Sequence, residues 1–403
     1  MKTSTEPREH LTRIERIVFA VANRCARWFP WLRKDLDVAA ARYVELAKAS
    51  SKNGDSASVV TNYEKAMVRA PNDIVLLRRA GRACYERGQY DAAERFFRRA
   101  LQIEYFDNDA VKWLAFTLHA GSKLDDAVYY YFRYLDMVRD DYDALVNLGA
   151  LFLSSGQYEQ AIEYSRRAAL ADRTKAAPLH NVAVANFNLG RFDEAEASIR
   201  EALSRDHNAD SLRLLGLIQE TQARTTDALQ SYKEACELKP EYNEACLDLA
   251  RLYNRLDLID EYLESANRAV LGFERDRDQE GLKRAYWDLG WAYYRSRQWE
   301  NSAEASRKAL QLEPRNAPPR FNLGLALLLL GRAEEAMREY TEGVRHSKVS
   351  DLKKDAIEDL EEALRTQPDL VGAGPIIDML ATEYSKVERQ WPARSKSFSR
   401  GHS

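Results

Sequence analysis

The residues able to do chemistry are few and dispersed. Six histidines (His10, His119, His180, His207, His346 and His402) stand at no metal-ligand spacing. Cys25, Cys84, Cys236 and Cys246 form no C-x-x-C pair and have no histidine cluster beside them, so no zinc site is predicted. There is no glycine-rich phosphate loop, no nucleophile elbow and no appended segment long enough to fold as an enzyme. No metal, no cofactor and no catalytic residue is therefore expected. What remains is recognition chemistry. Arg78, Arg79 and Arg82 can give charge-assisted hydrogen bonds to carboxylates or phosphate. Trp287, Trp291 and Tyr294 fall at i, i+4 and i+7, on one helical face and away from Leu289 and Gly290. They read as an exposed aromatic strip, and aromatic anchors are enriched at binding hot spots.

The elements that position these residues repeat. A small residue recurs about every 34 positions: Ala47, Gly81, Ala115, Gly149, Ala183, Gly216, Ala250, Gly290 and Gly324. A second register holds Ala93, Ala127, Ala161, Ala195, Ala228, Ser302 and Ala336. A third holds Ala66, Ala100, Ala168, Ala202, Ala235, Ala269, Ala309 and Gly343. Between them, apolar residues fall three and four apart, as in Leu145, Leu148, Leu151 and Phe152, which is the helix period. Each unit reads as two helices in antiparallel contact, and a side chain larger than a methyl at the crossings would push them apart. Gly54, Gly88, Gly156, Gly190 and Gly331 mark the turns, and Pro71, Pro240 and Pro314 stop second helices. A fixed period of this length predicts an α-solenoid.

The units resemble the tetratricopeptide repeat. The resemblance is carried by "AYWDLGWAYYRSRQWENSAEASRKALQLEP" from Ala285 to Pro314, by "DALVNLGALFLSSGQYEQAIEYSRRAA" from Asp143 and by "LLRRAGRACYERGQYDAAERFFRRAL" from Leu76. It implies an all-α, right-handed superhelical solenoid of tandem helix-turn-helix repeats. Nine units are placed at 40–73, 74–107, 108–141, 142–175, 176–208, 209–242, 243–282, 283–316 and 317–350. Unit seven departs from the period, with Tyr262 where Ala is expected and "GFERDRDQEG" over 272–281. That reads as a lengthened second helix with a solvated charged loop, or as a hinge.

In this family the first helix of each unit lines a concave wall. Carried over by position, the resemblance assigns to that wall Arg78, Arg79, Arg82, Lys112, Phe116, His119, Asn147, His180, Asn181, Phe187, Trp287, Trp291, Tyr294, Phe321 and Asn322. Asn147, Asn181 and Asn322 hold the position from which an amide can hydrogen-bond an extended peptide backbone. Asp248, Asp288 and Leu214 interrupt that series. The carboxylate clamp of chaperone-binding members needs Asn at the ninth position of a unit, and here none is found, so that mode is disfavoured. The implied function is a non-enzymatic adaptor or assembly scaffold gripping an extended or helical segment of another protein. The alternative is a structural subunit of a larger, membrane-associated complex, docked through its N-terminal helix.

Charge is uneven around a net −3. Residues 1–34 carry eight Lys/Arg against three Glu, residues 389–403 carry four Lys/Arg and no acid, and the body between is left at −12. An acidic body argues against nucleic acid as the main ligand. Ile14, Ile17, Val18, Val21, Cys25, Trp28, Phe29 and Leu32 make an apolar stripe opposite Arg13, Arg16, Arg24 and Arg27, and Pro30 is expected to end that helix. The stripe suits a cap on the first repeat, a partner-binding helix or a membrane-surface helix. The unbroken apolar run is too short to span a bilayer and makes no convincing signal peptide. Reduced cysteines and the absence of such signals point to the cytoplasm. The chain is thus divided into a basic N-terminal helix and lead-in (1–39), the repeats (40–350), C-terminal capping helices (351–390) and a basic tail expected to be disordered (391–403).

Overall fold

A computed structural model describes residues 20–21, 30–348 and 356–398, and among them every regular element is a helix. Nine antiparallel pairs follow one another, each joined by a short turn. The first five are Pro30–Lys52 with Ser56–Arg69 (α1, α2), Ile74–Tyr85 with Tyr90–Ile103 (α3, α4), Asn108–Ala120 with Leu124–Met137 (α5, α6), Tyr142–Ser154 with Tyr158–Ala171 (α7, α8) and Ala177–Asn188 with Phe192–Arg205 (α9, α10). The next four are Ala209–Thr221 with Thr225–Leu238 (α11, α12), Asn243–Arg255 with Ile259–Asp276 (α13, α14), Gln279–Arg295 with Trp299–Leu312 (α15, α16) and Ala317–Leu329 with Ala333–His346 (α17, α18). Asp359–Thr366 (α19) and Ala373–Phe398 (α20) close the chain. The chain forms two compact units, 1–205 and 206–403, each with its own core.

The small-residue register works as a set of crossings. A Cβ on Gly81 would lie 2.5 Å from Cζ of Phe97, one on Gly216 2.6 Å from Cε1 of Tyr232, and one on Gly324 2.7 Å from Cδ2 of Tyr340. In each case the glycine of the first helix faces the large residue sixteen positions later. Those rings are buried, so the glycine lets the two helices close over an aromatic filling. The turns are equally regular. Gly54, Gly88, Gly156, Gly190 and Gly331 take positive φ, and Ser122, Ala223, Asp257 and Arg297 take φ of 58–60° at the corresponding positions of the other four pairs.

First helices also start by rule. Asp73, Asp107 and Asp141, spaced 34 apart, accept hydrogen bonds from the backbone N–H groups of the first turn that follows them, and Asn208 and Asp278 do so in unit 206–403.

The helix boundaries depart from expectation in two places. The described part of α1 runs from Pro30, so the first helix of the array reaches at least ten residues before the expected boundary at 40. The N-terminal amphipathic stripe otherwise lies outside the described residues. In the seventh pair the second helix is lengthened as expected: α14 runs on to Asp276, Arg277 turns the chain with φ 57°, and Asp278 caps α15 at once. The odd Tyr262 is fully buried and donates its hydroxyl to the Asp288 carbonyl at 2.7 Å. Last, α20 passes Pro392 and continues to Phe398, into the segment expected to lack a helix; past the proline no Gly or Pro interrupts it.

Candidate functional site

In unit 1–205 three of the candidate cations, Arg78, Arg82 and Lys112, are paired within the chain. Arg78 Nη1 lies 3.3 Å from Asp107 Oδ1 and its Nε 3.6 Å from Asp109 Oδ2, while Arg82 bonds Asp109. Lys112 Nζ reaches Asp141 Oδ2 at 2.8 Å and Asp143 Oδ2 at 3.3 Å. Each cation of one first helix thus holds the N-terminus of the next. Of Arg78, Arg79 and Arg82, offered by the sequence to carboxylates or phosphate, Arg78 and Arg82 already pair with acids of this chain. Burial and the Asp141 contacts act in opposite directions on Lys112, and the net effect raises it. Arg79 is exposed on the same helix.

Around these pairs lies a half-exposed aromatic layer. The Arg82 guanidinium stands 5.0 Å from the Trp113 ring, Trp113 meets Tyr85 edge-on at 5.4 Å and Phe116 at 5.7 Å, and Lys112 Nζ is 5.5 Å from Phe116. Phe116 continues to the buried Tyr131 at 5.8 Å. His119 Nδ1 sits 3.2 Å from the Tyr131 hydroxyl, and burial lowers its pKa, which favours a neutral imidazole. Asn147 spends its amide on the Asp143 carbonyl at 2.9 Å. His180, Asn181 and Phe187 are half-buried on α9, with Phe187 against Phe192 at 5.7 Å. Trp113 went unassigned by sequence position although it joins Arg82 to Phe116.

In unit 206–403 the candidates divide. Trp291 and Tyr294 stack at 4.7 Å with planes 20° apart, and Tyr294 meets Trp299 at 5.5 Å; Trp287 is half-buried on the same helix. Phe321 and Asn322 do not line a wall, which corrects the expectation. Phe321 is 1% exposed and stacks on Tyr340 at 5.8 Å, in space left by Gly343, where a Cβ would fall 2.5 Å from the ring. Asn322 is buried beside it in sequence, so it offers no amide to a peptide backbone.

The same unit holds two ion pairs across repeat boundaries. Arg213 Nε is 2.6 Å from Asp248 Oδ2, and Arg251 approaches Asp288 Oδ2 at 2.9 and 3.0 Å. Burial raises both carboxyl pKa values despite the opposing pull of the arginines. The sequence signal was present in the acids that interrupt the asparagine series.

Met67 and Val68 of α2, Pro71 of the turn that follows, Leu77 of α3 and Phe96 of α4 line an open apolar hollow of about 500 Å³, rimmed by Glu64, Arg95 and Arg99 and bordered by Ala20. Among the described residues no group of histidines, cysteines and acids is placed to hold a metal ion. None of the described helices is long and apolar enough to cross a membrane.

Nine helix pairs with this crossing and turn geometry define a helical-repeat protein. Models of the tetratricopeptide repeat match residues 76–110, 142–175, 183–243 and 287–347. The chain belongs to the tetratricopeptide-repeat family. It is 25% identical over 190 residues to tetratricopeptide repeat protein 8 of Caenorhabditis elegans, covering 46% of this chain and 38% of that protein. It is 30% identical over 142 residues to the human protein O-mannosyl-transferase TMTC1, covering 34% of this chain and 15% of that protein. The chain thus spans well under half the length of these curated relatives. Among solved structures, MamA aligns over 41% of this chain and 96% of its own, at 21% identity and a TM-score of 0.38. YrrB, described as a TPR protein with an unusual peptide-binding site, aligns over 46% and 92%, at 20% identity and a TM-score of 0.36.

Proposed function

We propose that this protein is a non-enzymatic scaffold that binds a segment of another protein on the faces of its first helices. Repeat arrays present such faces in series, and their common use is to hold extended or helical segments. The observation that carries the reading is the Arg82–Trp113–Phe116 layer, in which two large rings and a guanidinium remain half-exposed on consecutive first helices. Side chains of these types concentrate binding energy because they bury much area at little entropic cost. The cations there are held by Asp109, Asp141 and Asp143, so affinity would come from the rings and specificity from the fixed charges around them.

The test is affinity purification of the tagged full chain from its native cells, with the Trp113→Ala/Phe116→Ala double variant alongside and helicity checked by circular dichroism. Loss of specific co-purifying proteins supports the reading. An unchanged set from a folded variant rejects this face as the working surface.

A further inference from the structure

The hollow beside Met67 has a counterpart one repeat later in the same chain. A step of 34 residues carries Pro71 to Tyr105, Phe96 to Tyr130 and Arg99 to Arg133, and the capping Asp73 goes to Asp107 by the same step. In the later repeat the chain supplies a ring. Tyr105 stands in the turn after α4, and the Arg133 guanidinium of α6 lies 3.9 Å from its ring centroid while donating to the Tyr105 carbonyl. The same guanidinium is 5.8 Å from Tyr130. In the earlier repeat Pro71 stands in place of the tyrosine, so that position offers no ring. Arg99 gives its hydrogen bonds to the amide oxygens of Gln102 at 3.0 Å and Asn72 at 3.4 Å, and among the described residues no aromatic ring lies over it.

Pro71 thus borders open space where its counterpart carries a ring. The volume of about 500 Å³ falls within the range of about 300–1,000 Å³ usual for ligand sites. Leu77 and Phe96 are its buried lining, at 1% and 7% exposed, and Met67, Val68 and Pro71 line it half-buried. Arg95 of α4 pairs with Glu64 of α2 at 3.0 Å, so of the two rim arginines Arg99 is the one held by neutral groups. Ala20 makes one border, so the chain's own lead-in walls the hollow and leaves it open. The Met67 thioether and the Arg99 guanidinium both favour an aromatic ring over an aliphatic side chain of similar size.

We propose that this hollow is a docking site for one aromatic side chain, a tyrosine or phenylalanine on an exposed segment of a partner protein. Its ring takes against Arg99 the place that Tyr105 takes against Arg133. The site is built between second helices, apart from the Trp113 layer on the first helices, and it stands whether or not that layer binds.

The probe is N-acetyl-tyrosinamide, titrated into the full chain labelled with ¹³C at the methionine methyls. Met67 is one of five methionines, and its signal is assigned by its loss in Met67→Leu. A ring seated in the hollow shields that methyl, so its signal should move upfield and saturate. N-acetyl-leucinamide should bind about two- to five-fold more weakly, and Arg99→Gln should weaken the tyrosine probe by the same factor without touching the leucine one. Pro71→Tyr should install a resident ring, shifting Met67 upfield before any probe is added and removing the response to it. No Met67 shift in the unaltered chain, equal affinity for the two probes, or indifference to Arg99→Gln overturns the proposal. So does a Met67 signal already upfield without probe that returns in Phe19→Leu or Trp28→Leu, which would seat a ring of the chain's own lead-in there. Should Pro71→Tyr lose helicity by circular dichroism, the exposed Arg99→Gln decides alone. Partner capture indifferent to Trp113 and Phe116 would sink the proposed function and leave this site untouched.

Discussion

The Lys112 ammonium lies 2.8 Å from Asp141, and Asp141 is also the N-cap of the next repeat's first helix. The same carboxylate accepts from the Tyr134 hydroxyl at 2.9 Å. One side chain thus starts a helix, anchors a neighbouring cation and fixes a tyrosine. Arg78 and Asp107 repeat the relationship one unit earlier. Cations that look available to a partner when read in sequence are used to set the stacking of consecutive repeats.

Replacing Asp141 by Ala removes the cap and the Lys112 partner together. The expected loss is about 1–2 kcal/mol, dominated by the cap. Burial pushes the Asp141 carboxyl up, but hydrogen bonds from Lys112, the Ala144 N–H and Tyr134 outweigh it and hold the carboxyl below its ordinary value. A depressed carboxyl contributes stability that is present above its unfolded pKa and lost as pH falls through the folded one. Urea unfolding of both proteins at pH 7 and near pH 3 checks this. The gap should narrow at the lower pH, and an equal gap at both would deny the ionic part.

The Arg251–Asp288 pair should show the opposite sign. Burial raises Asp288, so its charged form is the costly one and the cost is relieved as pH falls through the folded pKa. Asp288→Ala leaves Arg251 without its acceptor, and about 1–3 kcal/mol should be lost. Combining it with Arg251→Met should restore most of that loss, since removing both partners of a half-buried pair together leaves no unpaired charge. A double-mutant cycle measured by denaturant unfolding gives the coupling directly; additive losses would mean that the two side chains do not interact.

The crossings were legible because packing leaves a residue-type signature: Gly81 opposite Phe97 and Gly216 opposite Tyr232 follow from one spacing. The turns were legible only in part, since Ser122, Ala223, Asp257 and Arg297 adopt the same left-handed backbone without the glycine that advertises it. The site was the least legible. Helical position places Phe321 on the wall, yet Gly343, twenty-two residues on, opens the space that draws its ring into the core.

Those left-handed turns give a pair of opposed substitutions. Ala223→Gly should raise stability by about 1 kcal/mol, because a Cβ is unfavourable at φ 59°. Gly88→Ala should lower it by a similar amount: the added methyl would meet nothing within 4 Å, so only backbone strain is felt. Thermal unfolding of the two variants should shift the midpoint in opposite directions. A shift of the same sign in both would place the effect elsewhere than in the backbone.

Cys236 and Cys246 lie on either side of the α12–α13 turn as buried, reduced thiols that act on each other's ionisation. The bond from Cys236 pushes Cys246 down to about 7, with the Arg268 charge assisting, while Cys236 itself is pushed up. Burial pushes Cys84 up to about 12, so it stays silent near neutrality. In a Cys25→Ser background, thiolate absorbance near 240 nm should therefore show one group ionising close to pH 7. Cys236→Ala removes the donor and leaves burial unopposed by it, so that step should move to higher pH. If the step stays near 7 without Cys236, Arg268 and the surrounding backbone hold the thiolate, and the thiol pair has no part in its stabilisation.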